Sequence, residues 1–246
     1  MNYLLYPLNG IYLLYLLLGT SLFACSLPLY YLIYKMVNGG RTDDALRYYN
    51  YLYGSFLIRI SWPLLRVKRL GEENIPKGKP CVIVVNHRST ADIFLAPLYT
   101  TKNTIVFVRS WPFKIWMFKW FMKGAGYVDI ERTPLNEFNK IKGKDLAAGG
   151  AAFLFYPEGH RSRDGKLQRF QSGAFITAAG LNIPVLPVCL TGTEKFLPMK
   201  QHLVRPATVK VEILPPVFPS SLPEEKRALK LRRHIENIFK EHLNEK

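Results

Sequence analysis

Imidazole is the side chain best suited to moving protons near neutral pH. In this chain His87 is followed five residues later by Asp92, within Asn-His-Arg-Ser-Thr-Ala-Asp at residues 86–92. A carboxylate on one ring nitrogen fixes the tautomer, leaves the other nitrogen as a base and stabilises the imidazolium formed on proton abstraction. Composition alone yields a His and an Asp at this spacing about once in eight chains, so placement must decide. The run Cys81–Val85 is continuous, apolar and rich in β-branched residues, which predicts a buried strand. His87 therefore sits at the carboxyl end of a strand, where open α/β sheets place their sites. Ser89 or Thr90 can cap a following helix to about Leu98, and Asp92, one turn in, can fold back onto the imidazole. Ser89 lacks the elbow of a nucleophile. A His–Asp dyad without a nucleophile suits direct deprotonation of a substrate hydroxyl. The bland reading is a histidine that merely caps a strand end.

Two further constellations lie downstream. Tyr156-Pro157-Glu158-Gly159-His160-Arg161-Ser162 follows an apolar strand, and Pro157 with Gly159 forces a turn. Gly126-Tyr127-Val128-Asp129-Ile130-Glu131-Arg132 is a strand ending in arginine. A guanidinium binds phosphate oxygens through a planar, permanently charged fork. Either Arg132 or Arg161 alone reads as a surface ion pair. Together, at the ends of core strands beside a His–Asp dyad, they read as a phosphate site.

The elements that must hold these residues alternate. Strands are predicted at 104–108, 127–130, 152–156, 184–190 and 208–214, and helices at 113–122, 135–148, 172–181 and 223–243. This pattern predicts an α/β fold, a mostly parallel sheet flanked by helices, with N-terminal membrane-anchoring helices. Residues 1–34 carry no charged side chain, and about 20 apolar residues suffice to span a bilayer. Pro7, Gly10, Gly19 and Pro28 punctuate that run, which leaves two geometries: one tilted span or two short helices dipping into one leaflet. Residues 1–40 are thus expected to form the anchor and residues 41–246 the catalytic domain. Lys35, Arg41 and Arg47 supply a basic flank that favours a cytoplasmic position for the domain, at the inner membrane in a bacterial cell.

Residues 46–65 read as a second membrane-proximal helix, and Arg66, Lys68 and Arg69 as either a lipid-facing edge or a solvated strand. Residues 111–122 hold three tryptophans, three phenylalanines and two lysines, and fit the core, a membrane interface or the wall of an acyl tunnel. With 34 Lys+Arg against 18 Asp+Glu, the net charge of +16 implies an anionic partner. The basic residues are dispersed and no nucleic-acid module is present, so an anionic membrane surface is expected and nucleic acid is not. The three cysteines have no ligand spacing, so neither a metal site nor a disulfide framework is expected.

The order Asn-His-x-Ser-x-x-Asp, Gly-x-Val-x-x-x-Arg, Tyr-Pro-Glu-Gly-x-Arg-Ser and Ile183-Pro184-Val185-Leu186-Pro187-Val188 resembles the four blocks of the lysophosphatidic acid acyltransferase family. The resemblance covers about residues 80–190. It implies transfer of a fatty acyl group from acyl-CoA or acyl carrier protein to the sn-2 hydroxyl of lysophosphatidic acid or a related lysolipid, without a cofactor or metal. By position it makes His87 the base and Asp92 its orienting group. Arg132 and Arg161 would hold the acceptor phosphate, and Glu158, with Gly159 at its turn, would position the acceptor or Arg161. Three residues depart from the pattern: His160 in place of Thr, Glu131 in place of Asp, and Gln171 where Lys often follows the Phe. These departures bear on the acceptor, with lyso-ornithine lipid or another lysophospholipid as alternatives. A non-catalytic basic lipid-binding protein is the remote alternative.

Overall fold

The computed structural model describes residues 5–38, 42–162, 166–199 and 203–243. Seven strands form the sheet: β1 (Leu65–Leu70), β2 (Cys81–Val85), β3 (Thr104–Val108), β4 (Val128–Asp129), β5 (Ala152–Phe155), β6 (Val185–Thr191) and β7 (Ala207–Ile213). Their order is β1-β7-β6-β2-β5-β3-β4. All neighbours are parallel except β6 and β7. The connection between these two runs through a short helix (Thr193–Phe196) before β7 returns beside β6. Gly192 turns at φ 89°, and a Cβ there would stand 2.3 Å from the Thr208 carbonyl oxygen. The basic segment after residue 65 is thus an edge strand, paired only with β7.

The helices are α1 (Leu5–Asn38), α2 (Thr42–Ile60), α3 (Ala91–Phe94), α4 (Trp116–Gly124), α5 (Leu135–Phe138), α6 (Lys144–Ala148), α7 (Gly173–Leu181), α8 (Thr193–Phe196) and α9 (Arg227–His242). Strand side chains alternate between faces, so the central strands β2, β5 and β6 serve two cores. Cys81, Ile83 and Val85 of β2 face one cluster with Tyr12, Leu95 and Tyr99. Val82 and Val84 face the other, with Phe175, Leu231, Ile235 and Phe239 of α7 and α9. Burial on both faces explains why β2 reads as an unbroken apolar run.

Several elements sharpen or differ from expectation. Of the two geometries open for the N-terminal run, the single continuous helix, running through Pro28, is the one formed. In the turn before Pro28, the Ser26 hydroxyl donates to the Phe23 carbonyl at 2.7 Å, and the Tyr49 hydroxyl donates to the same oxygen. The helix also packs on the rest of the molecule. The Asn9 side chain donates to the Val204 carbonyl at 3.0 Å and accepts its N–H at 2.8 Å. Tyr12 meets Ser61 at 2.7 Å, and Tyr30 donates to the Ala45 carbonyl at 3.1 Å. Of the expected basic flank, Arg41 lies outside the described residues. Arg47 is buried, held by Asp44, the Asn103 side chain at 2.7 Å and the Ala125 carbonyl at 2.9 Å, so it braces α2 against the domain.

The helix expected to run to Leu98 stops at Phe94 and continues as a 3-10 turn over Ala96–Leu98, because Pro97 cannot supply an amide to an α-helix. That expected over 135–148 is broken by a π-turn at Asn139–Gly143, where the Asn139 side chain donates to the Ile176 carbonyl at 3.2 Å.

Candidate active site

The site forms where the chain leaves β2 and β5, neighbours in the sheet. Asn86, the first residue beyond β2, is buried. Its side chain donates to the Leu190 carbonyl at 2.9 Å and accepts the Leu190 N–H at 2.7 Å. Those two bonds fix the strand end against β6 and deliver His87 to the sheet edge.

His87 Nδ1 lies 2.7 Å from Asp92 Oδ2. A carboxylate can only accept, so Nδ1 carries the hydrogen and Nε2 keeps its lone pair. The same Asp92 oxygen accepts the N–H groups of Arg88 at 2.7 Å and Ser89 at 2.8 Å. Ser89 does the capping expected of it, since its Oγ accepts the Ala91 N–H, the first amide of the short α3, at 3.2 Å; Asp92 ties the two residues before the helix to the imidazole. Ser89 is buried, and its hydroxyl donates to the Leu197 carbonyl at 2.9 Å. It is committed to structure, in keeping with a dyad that takes its nucleophile from the substrate.

The second loop wraps His87. Glu158 is buried, and its carboxylate accepts the His87 N–H at 2.6 Å and the Gln168 N–H at 2.9 Å. The His87 carbonyl accepts the Ser162 N–H at 2.8 Å. Both backbone groups of the histidine are therefore tied to the 157–168 segment. Burial pushes the Glu158 carboxyl above its ordinary range, opposed by those amide bonds and by nearby His87 and Arg88. Gly159 closes the turn at φ 73°, a left-handed conformation that a Cβ disfavours.

Two tyrosines complete the support. The Tyr156 ring lies 4.5 Å from the His87 ring, tilted by 32°. Its hydroxyl and that of Tyr99 reach the Asp92 carbonyl at 3.1 and 2.8 Å and each other at 2.8 Å. Desolvation by burial raises the pKa of both phenols, so both remain neutral donors.

The expected residues are brought together unequally. His87, Asp92, Glu158 and Gly159 form one connected cluster. Arg161 is exposed, and its guanidinium donates to the Thr90 hydroxyl at 2.6 Å, beside the dyad loop. Arg132 stands apart, 73% exposed, with Nε 3.8 Å from Asp129. Between the two arginine loops lies Arg109, one residue past β3. Its Nε donates to Glu131 at 2.6 Å, and another guanidinium nitrogen donates to His160 Nδ1 at 3.0 Å. Two of the three departures from the family pattern, Glu131 and His160, therefore share one partner. Arg109, Tyr156, Tyr99 and Asn86 were not singled out by sequence. Arg109 follows an apolar strand, the signal used for Arg132, and Asn86 and Tyr156 sit inside the blocks without an evident role. Tyr99 carries no sequence signal.

A cavity of about 100 Å³ opens between α2 and the sheet beside α3, lined by Tyr53, Gly54, Ile93, Phe94, Val106 and Leu154 among others. Among the described residues no cluster of His, Cys, Asp or Glu could hold a metal ion.

Comparison with known proteins agrees with this architecture. A chloroplastic 1-acyl-sn-glycerol-3-phosphate acyltransferase of Brassica napus is 34% identical over 164 residues, 65% of this chain and 47% of that relative. A 1-acyl-sn-glycerol-3-phosphate acyltransferase of Saccharomyces cerevisiae is 31% identical over 186 residues, 72% of this chain and 61% of its own length. The chain thus spans about half the length of the plant relative. The crystal structure of the 1-acyl-sn-glycerophosphate acyltransferase of Thermotoga maritima superposes with a TM-score of 0.74 over 98% of this chain and 97% of that one, at 24% identity, which shows a shared fold. The acyltransferase family model matches residues 66–191, just over half of the chain and every strand from β2 to β6, and so this chain belongs to the acyltransferase family.

Proposed function

We propose that this chain transfers a fatty acyl group from acyl-CoA or acyl carrier protein to the sn-2 hydroxyl of 1-acylglycerol-3-phosphate, giving phosphatidic acid. The observation that carries the reading is the His87–Asp92 pair, 2.7 Å apart, with Nε2 free to take a proton and the neighbouring serine already engaged. Nε2 removes the hydroxyl proton, and the alkoxide adds to the thioester carbonyl. The tetrahedral intermediate then expels the thiolate, which takes the proton from the imidazolium. Ester and free thiol result, and His87 is restored. Asp92 stabilises the imidazolium in between. Arg161 and Arg132, exposed at the sheet edge, bind the phosphate of the acceptor, and the apolar cavity beside α3 takes an acyl chain. The plant and yeast relatives named for this reaction support the choice of acceptor.

Membrane attachment belongs to the same reading. By length and composition α1 could cross a bilayer. Its contacts favour lying in one leaflet. Between Tyr12 and Tyr30, about 27 Å of helix, α1 is docked along α2 and the domain. Full crossing would carry α2, with its Arg59, into hydrocarbon. A catalytic domain on the cytoplasmic face places the dyad against lysolipid in that leaflet.

A second reading keeps the chemistry and changes the acceptor to another lysolipid. The Glu131–Arg109–His160 cluster favours it, because it alters charge at the loops that carry both headgroup arginines.

The test offers purified protein acyl-CoA with a panel of lysolipids, following thiol release and lipid product. His87→Ala should abolish both while attachment and folding survive. Near-normal turnover in that variant would sink the mechanism.

A further inference from the structure

Tryptophan is highly buried on average in folded proteins. In this chain all four are turned outward: Trp62 is 72%, Trp111 60%, Trp116 82% and Trp120 63% exposed. Three of them belong to α4 and the turn before it. Trp116, Lys119, Trp120 and Lys123 stand at i, i+3, i+4 and i+7, so they form one outward stripe of alternating indole and ammonium. Lys114, Ile115 and Phe118 are exposed beside it. Residues 111–127 contain three lysines and no acidic residue.

The opposite side of α4 is fixed. Gly124 lies against Leu46 of α2, so closely that a Cβ would come within 2.6 Å of that side chain. The Tyr127 hydroxyl accepts from Asn50 at 2.8 Å, and the Ala125 carbonyl accepts from Arg47 at 2.9 Å. The same α2 carries the apolar α1 along its other side, where Phe56 packs on Gly19. The exposed leucines of α1 and the tryptophans of α4 therefore flank one helix. Since α4 lies between β3 and β4, it borders the loops of Arg109 and Arg132.

We infer that α4 is a second membrane-contacting element, seating its Trp116–Lys119–Trp120–Lys123 stripe in the headgroup region of an anionic bilayer and so fixing the angle at which the catalytic edge meets the membrane. Indoles settle at the boundary between headgroups and chains, and lysines beside them extend toward phosphates. A single helix such as α1 attaches the protein but leaves rotation about its own axis open. A second contact beside the arginine loops removes that freedom. This rests on the membrane-bound reading above.

The test uses the full chain with Trp62→Phe and Trp111→Phe, so that Trp116 and Trp120 alone report. On phosphatidylcholine–phosphatidylglycerol vesicles their emission should shift to the blue and be quenched by lipids brominated on the acyl chain. Emission that neither shifts nor is quenched while the protein co-floats with the vesicles overturns the inference and leaves a protein partner as the occupant of the stripe. A second arm replaces Trp116 and Trp120 with Ala in the otherwise native chain. Turnover of lysolipid presented in vesicles should fall by about tenfold, equivalent to roughly 1.4 kcal/mol, while turnover of the same lysolipid in detergent micelles stays at the native level. Equal loss in both would overturn it, because the stripe would then be serving the fold. The fluorescence arm requires no catalysis, so an inactive protein whose tryptophans are quenched would refute the acyl-transfer reading and leave the surface standing.

Discussion

Glu158 holds the backbone of His87, not its ring: one carboxylate oxygen accepts the His87 N–H at 2.6 Å while the other accepts the Gln168 N–H at 2.9 Å. Glu158→Gln keeps the volume but can accept only one of these amides, and its NH₂ faces the other donor. Loss of a buried hydrogen bond costs about 1–3 kcal/mol, so the variant should unfold earlier in urea. Its kcat should fall while KM for the acceptor stays within about twofold, the pattern of a lost positioning group. A rise in KM alone would instead place Glu158 on the acceptor. Burial raises this carboxyl above its ordinary 4.5, so the folded chain keeps the proton to higher pH than the unfolded one. The contribution of this group to stability is then fully present below about pH 4.5 and declines as pH rises through the folded value. Glu158→Gln cannot titrate, so its deficit relative to the native chain should shrink from acid toward neutral pH.

Tyr156 separates two roles by substitution. Two phenolic protons serve three close contacts around the Asp92 carbonyl, so Tyr99 can still donate to that oxygen after one hydroxyl is removed. Tyr156→Phe keeps the ring 4.5 Å from the imidazole and should leave kcat within about threefold. Tyr156→Leu removes the π face that stabilises the imidazolium, an effect of about 0.5–2 kcal/mol, and should lower kcat by about tenfold. Equal damage in the two variants would show that the hydroxyl matters and the ring does not.

Asn86 is the joint between β2 and β6. Replacing it with Ala leaves the buried N–H and C=O of Leu190 both unmatched. At about 1–3 kcal/mol for each orphaned group, the loss should be roughly 2–6 kcal/mol and the fall in Tm on the order of 10 °C. Asn86→Asp restores the acceptor alone and should recover part of it. A Tm for Asn86→Ala within about 2 °C of native would mean that the joint is not needed.

What the sequence discloses here follows the range of the interaction. β2, β3 and β5 are legible because strands buried on both faces are apolar throughout, and the dyad is legible because five residues of one loop contain it. Asn86 and Leu190 lie 104 residues apart, and only the closed sheet brings them together. Tyr99 looks like an ordinary core aromatic, and it acts through a hydroxyl whose partner is a backbone carbonyl. The placement of 111–122 was open for a different reason. A helix rich in Trp and Phe satisfies either a protein core or a bilayer interface, and its surroundings decide between them. Pro28 punctuates a sequence, yet the helix runs on through it, packed against α2 on both sides of that point.

Arg109 belongs to neither the Arg132 loop nor the Arg161 loop, yet it is hydrogen-bonded to both. It spans Glu131, beside Arg132, and His160, beside Arg161. Its hydrogen bond lowers the Glu131 carboxyl to about 2. Glu131 therefore stays charged, and the support it gives, present above about 4.5, is lost only as pH falls toward 2. Arg109→Ala should untie both loops and raise KM for a lysolipid bearing a phosphate monoester by about tenfold, with KM for the acyl donor unchanged. His160→Thr removes the Nδ1 acceptor of Arg109 and should keep turnover while raising acceptor KM less than Arg109→Ala does, by about threefold. Initial rates with phosphate-monoester and phosphodiester lysolipids test both expectations. An acceptor KM identical to the native one in His160→Thr would remove His160 from acceptor selection and leave that role to Arg132 and Arg161.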